Sequence, residues 1–464
     1  MIACQQLPTG FSLKKRKFVR NFNLESYPEG DASLANLKSD QLSYTYGGCF
    51  CVQEKDGGVM ERVVMKFGGT SVANEERIER AATLIVEEVR RGNQVAVVVS
   101  AMGKTTDELL ALANVLNPNA GRRELDMLLS TGEQVTASLL AMAITAKGIP
   151  ANSFTGWQAG LVTDSVHGNA RIEKVNPEKI ETVLEAGGVA VITGFQGMDE
   201  QGELTTLGRG GSDTSAVAIA ISLKASYCDI YTDVEGVFTT DPRLIESARK
   251  LVEISYDEML ELANLGAGVL HPRAIEFAKN HNLVLRVRPA HMDGSGTVIK
   301  EEIELENNLI VRGVAFEKEI VRITVMYDVP YNGSLANVFT KLAEHHINVD
   351  IIVQTIMEGE QPSVSFSIKN EDFAEVINVL ELNKSELGYR RADYEVGLAK
   401  VSIVGSGMVS NPGVAAKMFD NLRNASVPIK MVSTSEIKVS VVIPGSDMEK
   451  AVDVLHEGFE LSKI

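Results

Sequence analysis

Lys66-Phe67-Gly68-Gly69-Thr70-Ser71 puts a lysine two residues before a glycine pair, directly after the apolar run Val63-Val64-Met65. Glycines let backbone N–H groups approach phosphate oxygens, and a following helix N-terminus adds a favourable field. Lys66 would bring a mobile positive charge to the same phosphates. A second loop, Thr205–Thr214, sets Gly208, Gly210 and Gly211 around Arg209, ahead of Ser212 and Asp213. The Arg209 guanidinium offers a bidentate fork to a carboxylate, and Asp213 can orient Lys66 or a metal. A third stretch runs from Thr232 and Asp233 through Phe238, Thr239, Thr240, Asp241 and Pro242 to Arg243. Its Thr and Asp groups can hold a nucleoside, and Arg243 can reach phosphate. Taken singly, each stretch also reads as a tight or capped turn. Together they favour a phosphotransferase, and the missing GxxxxGK[ST] sets it apart from P-loop enzymes.

These loops need strands and helices to hold them. Val63–Met65 reads as a buried strand, followed by a polar helix start at Asn74-Glu75-Glu76 and an amphipathic stretch to about Arg91. Val95–Val99 is an unbroken β-branched run ending at Ser100, as a central parallel strand does. Helical patterns at Glu124–Ala146, Asp213–Leu223 and Tyr256–Leu265 alternate with strands at Val189–Ile192, Asp229–Tyr231 and Leu283–Val287. Such alternation predicts an α/β fold, a largely parallel sheet with helices on both faces. Ligands then lie beyond the carboxyl ends of the strands.

The length of 464 residues suggests about three domains. With 44% hydrophobic and 23% charged residues the composition is globular, not disordered. The net charge of −17 argues against a nucleic-acid partner. No wholly apolar run reaches the ~18 residues of a bilayer span, so no membrane partner is expected. Cys4, Cys49 and Cys51 lie near the start and only Cys228 in the body, which suits a reducing cytoplasm. Residues 1–59 differ in texture, with a basic cluster at Lys14–Lys17 and Arg20. Glu25, Glu29 and Asp31 break the acid-poor pattern of a transit peptide, and no apolar stretch follows to make a secretory signal. We read 1–59 as a leader, unstructured or arising from a misassigned start, with Met60 as the natural start; intact mass from the native source tests this.

The chemistry-bearing motifs, together with Ser130-Thr131-Gly132-Glu133, occur in one order, and in that order they resemble aspartokinase, of the amino-acid kinase fold. The resemblance runs from about Met60 to the C-terminus. It implies transfer of the ATP γ-phosphoryl group to the side-chain carboxylate of L-aspartate, giving 4-phospho-L-aspartate. Lys66, Phe67, Gly68 and Gly69 would then contact ATP, as would Thr232, Asp233 and the run Phe238, Thr239, Thr240, Asp241, Pro242 and Arg243. Ser100, Thr106 and Glu133 would hold aspartate, Arg209 would clamp its carboxylate, and Asp213 would orient Lys66. Mg²⁺ would enter with ATP, with no protein metal site. Many relatives carry a lysine where Gly268 stands in Gly266-Ala267-Gly268-Val269-Leu270-His271-Pro272, so Arg243 is expected to take more of the phosphate contact. His271 reads as structural.

Shifted by 80 positions, the C-terminal third matches itself. Gly333-Ser334-Leu335-Ala336 falls on Gly413-Val414-Ala415-Ala416, and Ile347, Val349 and Ile351 fall on Val427, Ile429 and Met431. Strands follow in each copy, at Val364–Ile368 and Lys438–Ile443. The copies resemble ACT domains (ferredoxin-like, βαββαβ) of the monofunctional, lysine-sensitive aspartokinases. That resemblance implies an inhibitor site at Asn348, Val349, Asp350 and Gln354 and at Ser433, Thr434, Ser435 and Glu436. It also implies oligomers through the ACT domains, inhibition by lysine with or without threonine, and a separate regulatory subunit where an internal start is used. The family threads residues near Val311–Phe316 into the second ACT unit. Pro330 stands where relatives often carry an aspartate, leaving Glu436 of another subunit as a substitute. The expected domains are 60–300 (kinase), 310–395 (ACT 1) and 396–464 (ACT 2). Two other readings are open: a kinase of the same fold with another acceptor, and a catalytically inactive amino-acid sensor.

Overall fold

The computed structural model describes residues 60–266, 268–301, 310–328, 334–355 and 362–463. The leader, Ala267 and the Val329–Gly333 stretch with Pro330 lie outside the described residues.

The N-terminal body opens with β1 (Arg62–Phe67), α1 (Glu75–Arg90) and β2 (Gln94–Val99). It continues through α2 (Thr105–Leu116), α3 (Arg122–Leu129), α4 (Thr131–Ala146), β3 (Ala151–Phe154), β4 (Leu161–Thr163) and β5 (Ile172–Val175). Next come α5 (Glu178–Glu185), β6 (Val189–Thr193), β7 (Gln196–Met198), β8 (Leu204–Thr206), α6 (Gly211–Ser222) and β9 (Tyr227–Thr232). It closes with β10 (Glu253–Ser255), α7 (Tyr256–Asn264), α8 (Pro272–Asn280), β11 (Leu285–Pro289) and β12 (Thr297–Lys300).

Eight strands form one sheet in the order β10-β12-β11-β9-β1-β2-β6-β3. It is parallel except where β11 meets β12. The two-residue period of the strands divides their side chains between two cores. Val63, Met65, Phe67, Val95, Val97 and Val99 pack with Ile78, Ile85, Leu140 and Ile144 of α1 and α4. Val64, Ala96 and Val98 pack with residues of α5 to α8 on the other face. Because β1 lies between β2 and β9, the chain reverses its winding there, and the crevice at the carboxyl ends is where α/β sheets bind ligands. A separate four-stranded sheet, β5-β4-β7-β8, was not read from the sequence.

The helical stretch expected at Glu124–Ala146 is broken at Ser130 into α3 and α4. By length and composition alone Arg122–Ala146 could cross a membrane, yet it buries Asp126 and Glu133 within the body. Cys228 is fully buried in β9, and burial pushes its thiol well up, which leaves it protonated.

The C-terminal part comprises β13 (Gly313–Met326), α9 (Ser334–Glu344), β14 (Ile352–Thr355), β15 (Ser363–Lys369), α10 (Phe373–Leu382) and α11 (Lys384–Leu387). Then follow β16 (Arg391–Val404), α12 (Val414–Asn424), β17 (Met431–Thr434), β18 (Lys438–Pro444) and α13 (Met448–Gly458). One six-stranded sheet, β14-β15-β13-β16-β18-β17, runs beneath two cores. Val321, Ile323 and Val325 of β13 serve the first core, while Val314 serves the second together with Val401 and Ile403 of β16. A bulge between Glu317 and Ile320, with Glu319 at φ 58°, re-aims β13 between them. Thus β16 crosses the expected 395/396 boundary without a break, and Gly313–Glu317 pair with Lys400–Val404. The 311–316 segment does enter the second body.

Candidate active site

Three parallel strands deliver the first cavity. Lys66 is the penultimate residue of β1, Ser100 follows β2, and Phe195 follows β6. The turn after β1 is possible only with glycine: a Cβ on Gly69 would come within 2.9 Å of the Ala101 carbonyl. That closeness lets the Gly103 N–H bond the Gly69 carbonyl at 3.0 Å, joining the loops after β1 and β2. Gly210, at φ 70°, leads into α6 and lies so near the His271 ring that a Cβ would overlap it. His271 itself caps α8, its Nδ1 accepting the Arg273 N–H, which is the structural task expected of it.

Lys66, Gly69, Ser100, Thr106, Glu133, Arg209, Ser212, Asp213 and Phe195 surround a cavity of about 330 Å³. Lys66 Nζ lies 2.6 Å from Asp213 in the first turn of α6, both nearly buried. Glu133, in the first turn of α4, is 2% exposed. One of its oxygens accepts the Ala101 N–H at 3.1 Å, and Oε2 has no protein partner. Burial raises its pKa to about 7, against the pull of its backbone hydrogen bonds. A buried carboxylate with a free oxygen facing a polar cavity is suited to a cationic group of a ligand.

Gly68 N–H donates to the Tyr231 carbonyl at 3.3 Å, so the loops after β1 and β9 abut. Beyond that contact lies a second cavity of about 580 Å³ lined by Thr232, Asp233, Phe238, Thr240, Asp241, Pro242 and Arg243. Thr240 Oγ1 is buried there without a protein partner. Arg243 grips Asp241 with two bonds, Nε at 3.0 Å and a terminal nitrogen at 2.8 Å, and this holds the Asp241 carboxyl below its ordinary range. The Arg243 side chain is otherwise exposed, so the pair is weak enough to exchange for a phosphate. Gly268 lines the same cavity, and a Cβ there would meet nothing nearer than 4.0 Å. A lysine at this position would therefore fit.

Two expected contacts fall elsewhere. Phe67 points away from both cavities into the core, stacked on Tyr231 with ring centroids 4.7 Å apart, because alternation turns it opposite to Lys66. Thr239 likewise turns inward and is fully buried. The expected inhibitor residues do not meet within one chain, since Gln354 lies on β14 and Ser433 and Thr434 on β17, the two edges of the sheet. Asn348 and Glu436 are exposed, Ser435 closes the β17–β18 turn, and Val349 packs on the first core. Asp350 pairs with the buried Lys400 at 2.5 Å.

Sequence reasoning missed several supports. Phe195, in the left-handed region at φ 69°, was findable from its place after a strand. Asp126 and Arg273 were not, because they act far along the chain. Asp126 accepts Thr206 Oγ1 at 2.6 Å and the Gly168 N–H at 3.0 Å, and meets His167 Nδ1 at 2.8 Å. Arg273 donates to the carbonyls of Leu207 and Ala170 at 2.9 and 3.1 Å. Both brace the Arg209 loop. Val314, Ala315 and Phe316 of β13 also wall the second cavity.

The sequence matches the amino acid kinase family over residues 61–289 and an ACT domain over residues 401–459. It is 60% identical over 404 residues to an aspartokinase of Bacillus sp. (strain MGA3), covering 87% of this chain and 98% of that protein. Aspartokinase 2 of Bacillus subtilis is 57% identical, with 87% and 99% covered. Among solved structures, E. coli aspartokinase III in complex with aspartate and ADP superposes with a TM-score of 0.71 at 27% identity, covering 86% of this chain and 99% of that one. Two polar cavities beyond the strand ends, kinase and ACT segments in series, and near-complete coverage of these relatives agree: the chain belongs to the aspartokinase family, and its activity is the phosphorylation of aspartate.

Proposed function

We propose that aspartate occupies the smaller cavity and ATP the larger, with the γ-phosphoryl group meeting the aspartate side-chain carboxylate beside Lys66. The observation that carries this reading is Glu133: a buried carboxylate with a free oxygen, opposite Arg209 across a cavity of amino-acid size. Glu133 takes the ammonium, Arg209 a carboxylate, and Ser100 and Thr106 the remaining polar edge. The attacking carboxylate is already ionised near neutrality, so catalysis rests on positioning and on charge neutralisation by Lys66, which Asp213 orients. Gly68 and Gly69 open the backbone to the phosphates. Thr232, Asp233, Phe238 and Thr240 to Pro242 hold the nucleoside, and Arg243 swings from Asp241 to phosphate. Magnesium would come in on the nucleotide and supply further neutralisation there.

The reaction would open lysine, threonine, methionine and diaminopimelate biosynthesis in the cytoplasm, with lysine, alone or with threonine, as feedback inhibitor. A structure of E. coli aspartokinase III holds lysine and aspartate, which supports lysine as the effector here. Ile352 and Val353 on β14 and Val432 on β17 leave apolar side chains exposed on the sheet's edge strands. Such edges suit pairing between copies, which would bring Asn348–Gln354 of one copy to Ser433–Glu436 of another. The inhibitor's ammonium would compete with Lys400 for Asp350.

Acyl phosphate trapped as hydroxamate from Mg-ATP and aspartate, with and without lysine and threonine, tests the whole reading. Product suppressed by an effector is expected. Absence of product with every amino-acid acceptor, while lysine still binds, would leave only the inactive sensor. A finer test concerns the brace: Arg273→Ala is expected to raise the KM for aspartate about tenfold by freeing the Arg209 loop, with the KM for ATP unchanged. A shift confined to ATP would place the brace elsewhere.

A further inference from the structure

The wall of the larger cavity is fastened from outside the kinase body. Thr239 lies between Phe238 and Thr240, which both line the cavity, while its own side chain points the other way. All of its polar groups are engaged. Its N–H donates to the Arg249 carbonyl at 2.8 Å, and its Oγ1 accepts the Arg249 N–H at 3.0 Å. Its carbonyl accepts the Val314 N–H of β13 at 2.7 Å, an approach so close that a Cβ on Gly313 would stand 2.9 Å from that oxygen. Its Oγ1 also meets Nε2 of His456 at 2.9 Å. His456 belongs to α13, 217 positions further along the chain, and is fully buried. Its other ring nitrogen faces Ser247 Oγ at 3.5 Å.

A buried imidazole is a poor choice for simple filling, since an apolar side chain would pack there without desolvating two nitrogens. What the imidazole adds is direction. We propose that His456 is a positioning residue for the nucleotide: by fixing Thr239 it sets the angle at which Phe238 and Thr240 meet the bound nucleotide. The seating of α13 on the second regulatory body thereby enters the affinity for ATP. The inference rests on the reading that the larger cavity takes the nucleotide. Burial favours the neutral ring, and the one charged side chain that opposes this is Asp453 of α13 itself.

The test uses the full chain and compares H456L, which removes the bond, with H456Q, whose amide nitrogen can reach the same place. ADP binding by calorimetry and the KM for ATP are expected to weaken about tenfold in H456L, with the KM for aspartate within twofold, and to return to within threefold in H456Q. Thr239→Val cuts the same bond from the other end while keeping its volume, and with it the Arg249 N–H bond to Oγ1, so it serves as the stronger lesion if H456L does not fold. H456L placed on top of T239V should weaken ADP no further than T239V alone, because the contact it removes is already gone. Unchanged ADP affinity in H456L or T239V overturns the proposal, as does a parallel loss for ATP and aspartate that merely follows the melting temperature. Asp233→Ala separates the two levels of the argument. If it weakens ADP while H456L does not, the cavity assignment stands and the role of His456 falls; if none of the substitutions affects ADP, the cavity assignment itself is wrong.

Discussion

Lys66→Met is expected to lower kcat about a thousandfold, or roughly 4 kcal/mol of transition-state stabilisation, while the KM values for ATP and aspartate move only a few fold. Methionine matches the stem of Lys66 in volume, so the packing of β1 against its neighbours survives and only the charge is lost. That charge is held 2.6 Å from Asp213 in the wall of the smaller cavity. Removing it also orphans a buried carboxylate, which costs about 3–5 kcal/mol of stability where a buried pair is broken. The double variant K66M/D213N distinguishes the two effects. It should regain most of the melting temperature and none of the turnover. A K66M enzyme that keeps more than a tenth of kcat would show that the phosphoryl group is neutralised elsewhere, Arg243 being the first alternative.

Glu133→Gln is expected to raise the KM for aspartate about a hundredfold, because a charge-assisted contact and a buried counter-charge go together. The pH profile makes the assignment sharper. With a pKa of about 7 in the ligand-free protein, Glu133 is ionised only above neutrality. kcat/KM for aspartate should therefore fall about tenfold per pH unit below 7 and level off above it, whereas kcat bends less, since the bound ammonium pulls the pKa down. In E133Q this bend should vanish. The stability effect has the opposite sign. A carboxyl whose folded pKa lies above its unfolded value contributes stability that is complete below the unfolded pKa, near 4.5, and is lost as pH rises through about 7. At pH 8 the native side chain thus destabilises the free enzyme, and E133Q should melt higher than the native protein. A lower melting temperature at pH 8, or an unchanged bend at pH 7, would remove Glu133 from the ammonium site.

The chemistry was legible in the sequence where it is local. Lys66 with Gly68 and Gly69, Arg209 with Asp213, and Thr232 with Asp233 each lie at or just after a strand end in a single short run, so spacing alone marked them as candidates. Orientation was less legible, although the information was there. Phe67 follows Lys66 in β1 and so points away from the cavity, as strand alternation requires, whereas Thr239 lies outside any strand and is turned inward by its bonds to Arg249 and His456. Bracing was not legible at all. Asp126 reaches Thr206 across 80 positions and Arg273 reaches Leu207 across 66, and no local period encodes such pairs. The 80-residue repeat pointed to two similar units, and the family's threading of 311–316 anticipated the strand that β13 lends to both cores. The contribution of Val314–Phe316 to the larger cavity depends on how that strand docks on the kinase body, which repetition cannot report.

The shared strand also bears on how the protein is made. The first half of β13 has no partner within its own neighbourhood, because Gly313 waits for Val404. At roughly 5–20 residues per second, the ribosome supplies that partner on the order of 5–20 s later. During that interval the kinase body can close on itself, but the Val314 N–H that secures Thr239 belongs to a strand still lacking its neighbour in the sheet. The nascent chain thus carries a bare β-edge next to the unfinished wall of the larger cavity, a site where a stalled chain would aggregate. Completion of the larger cavity's wall would then wait until β16 has paired with β13 and α13 has emerged.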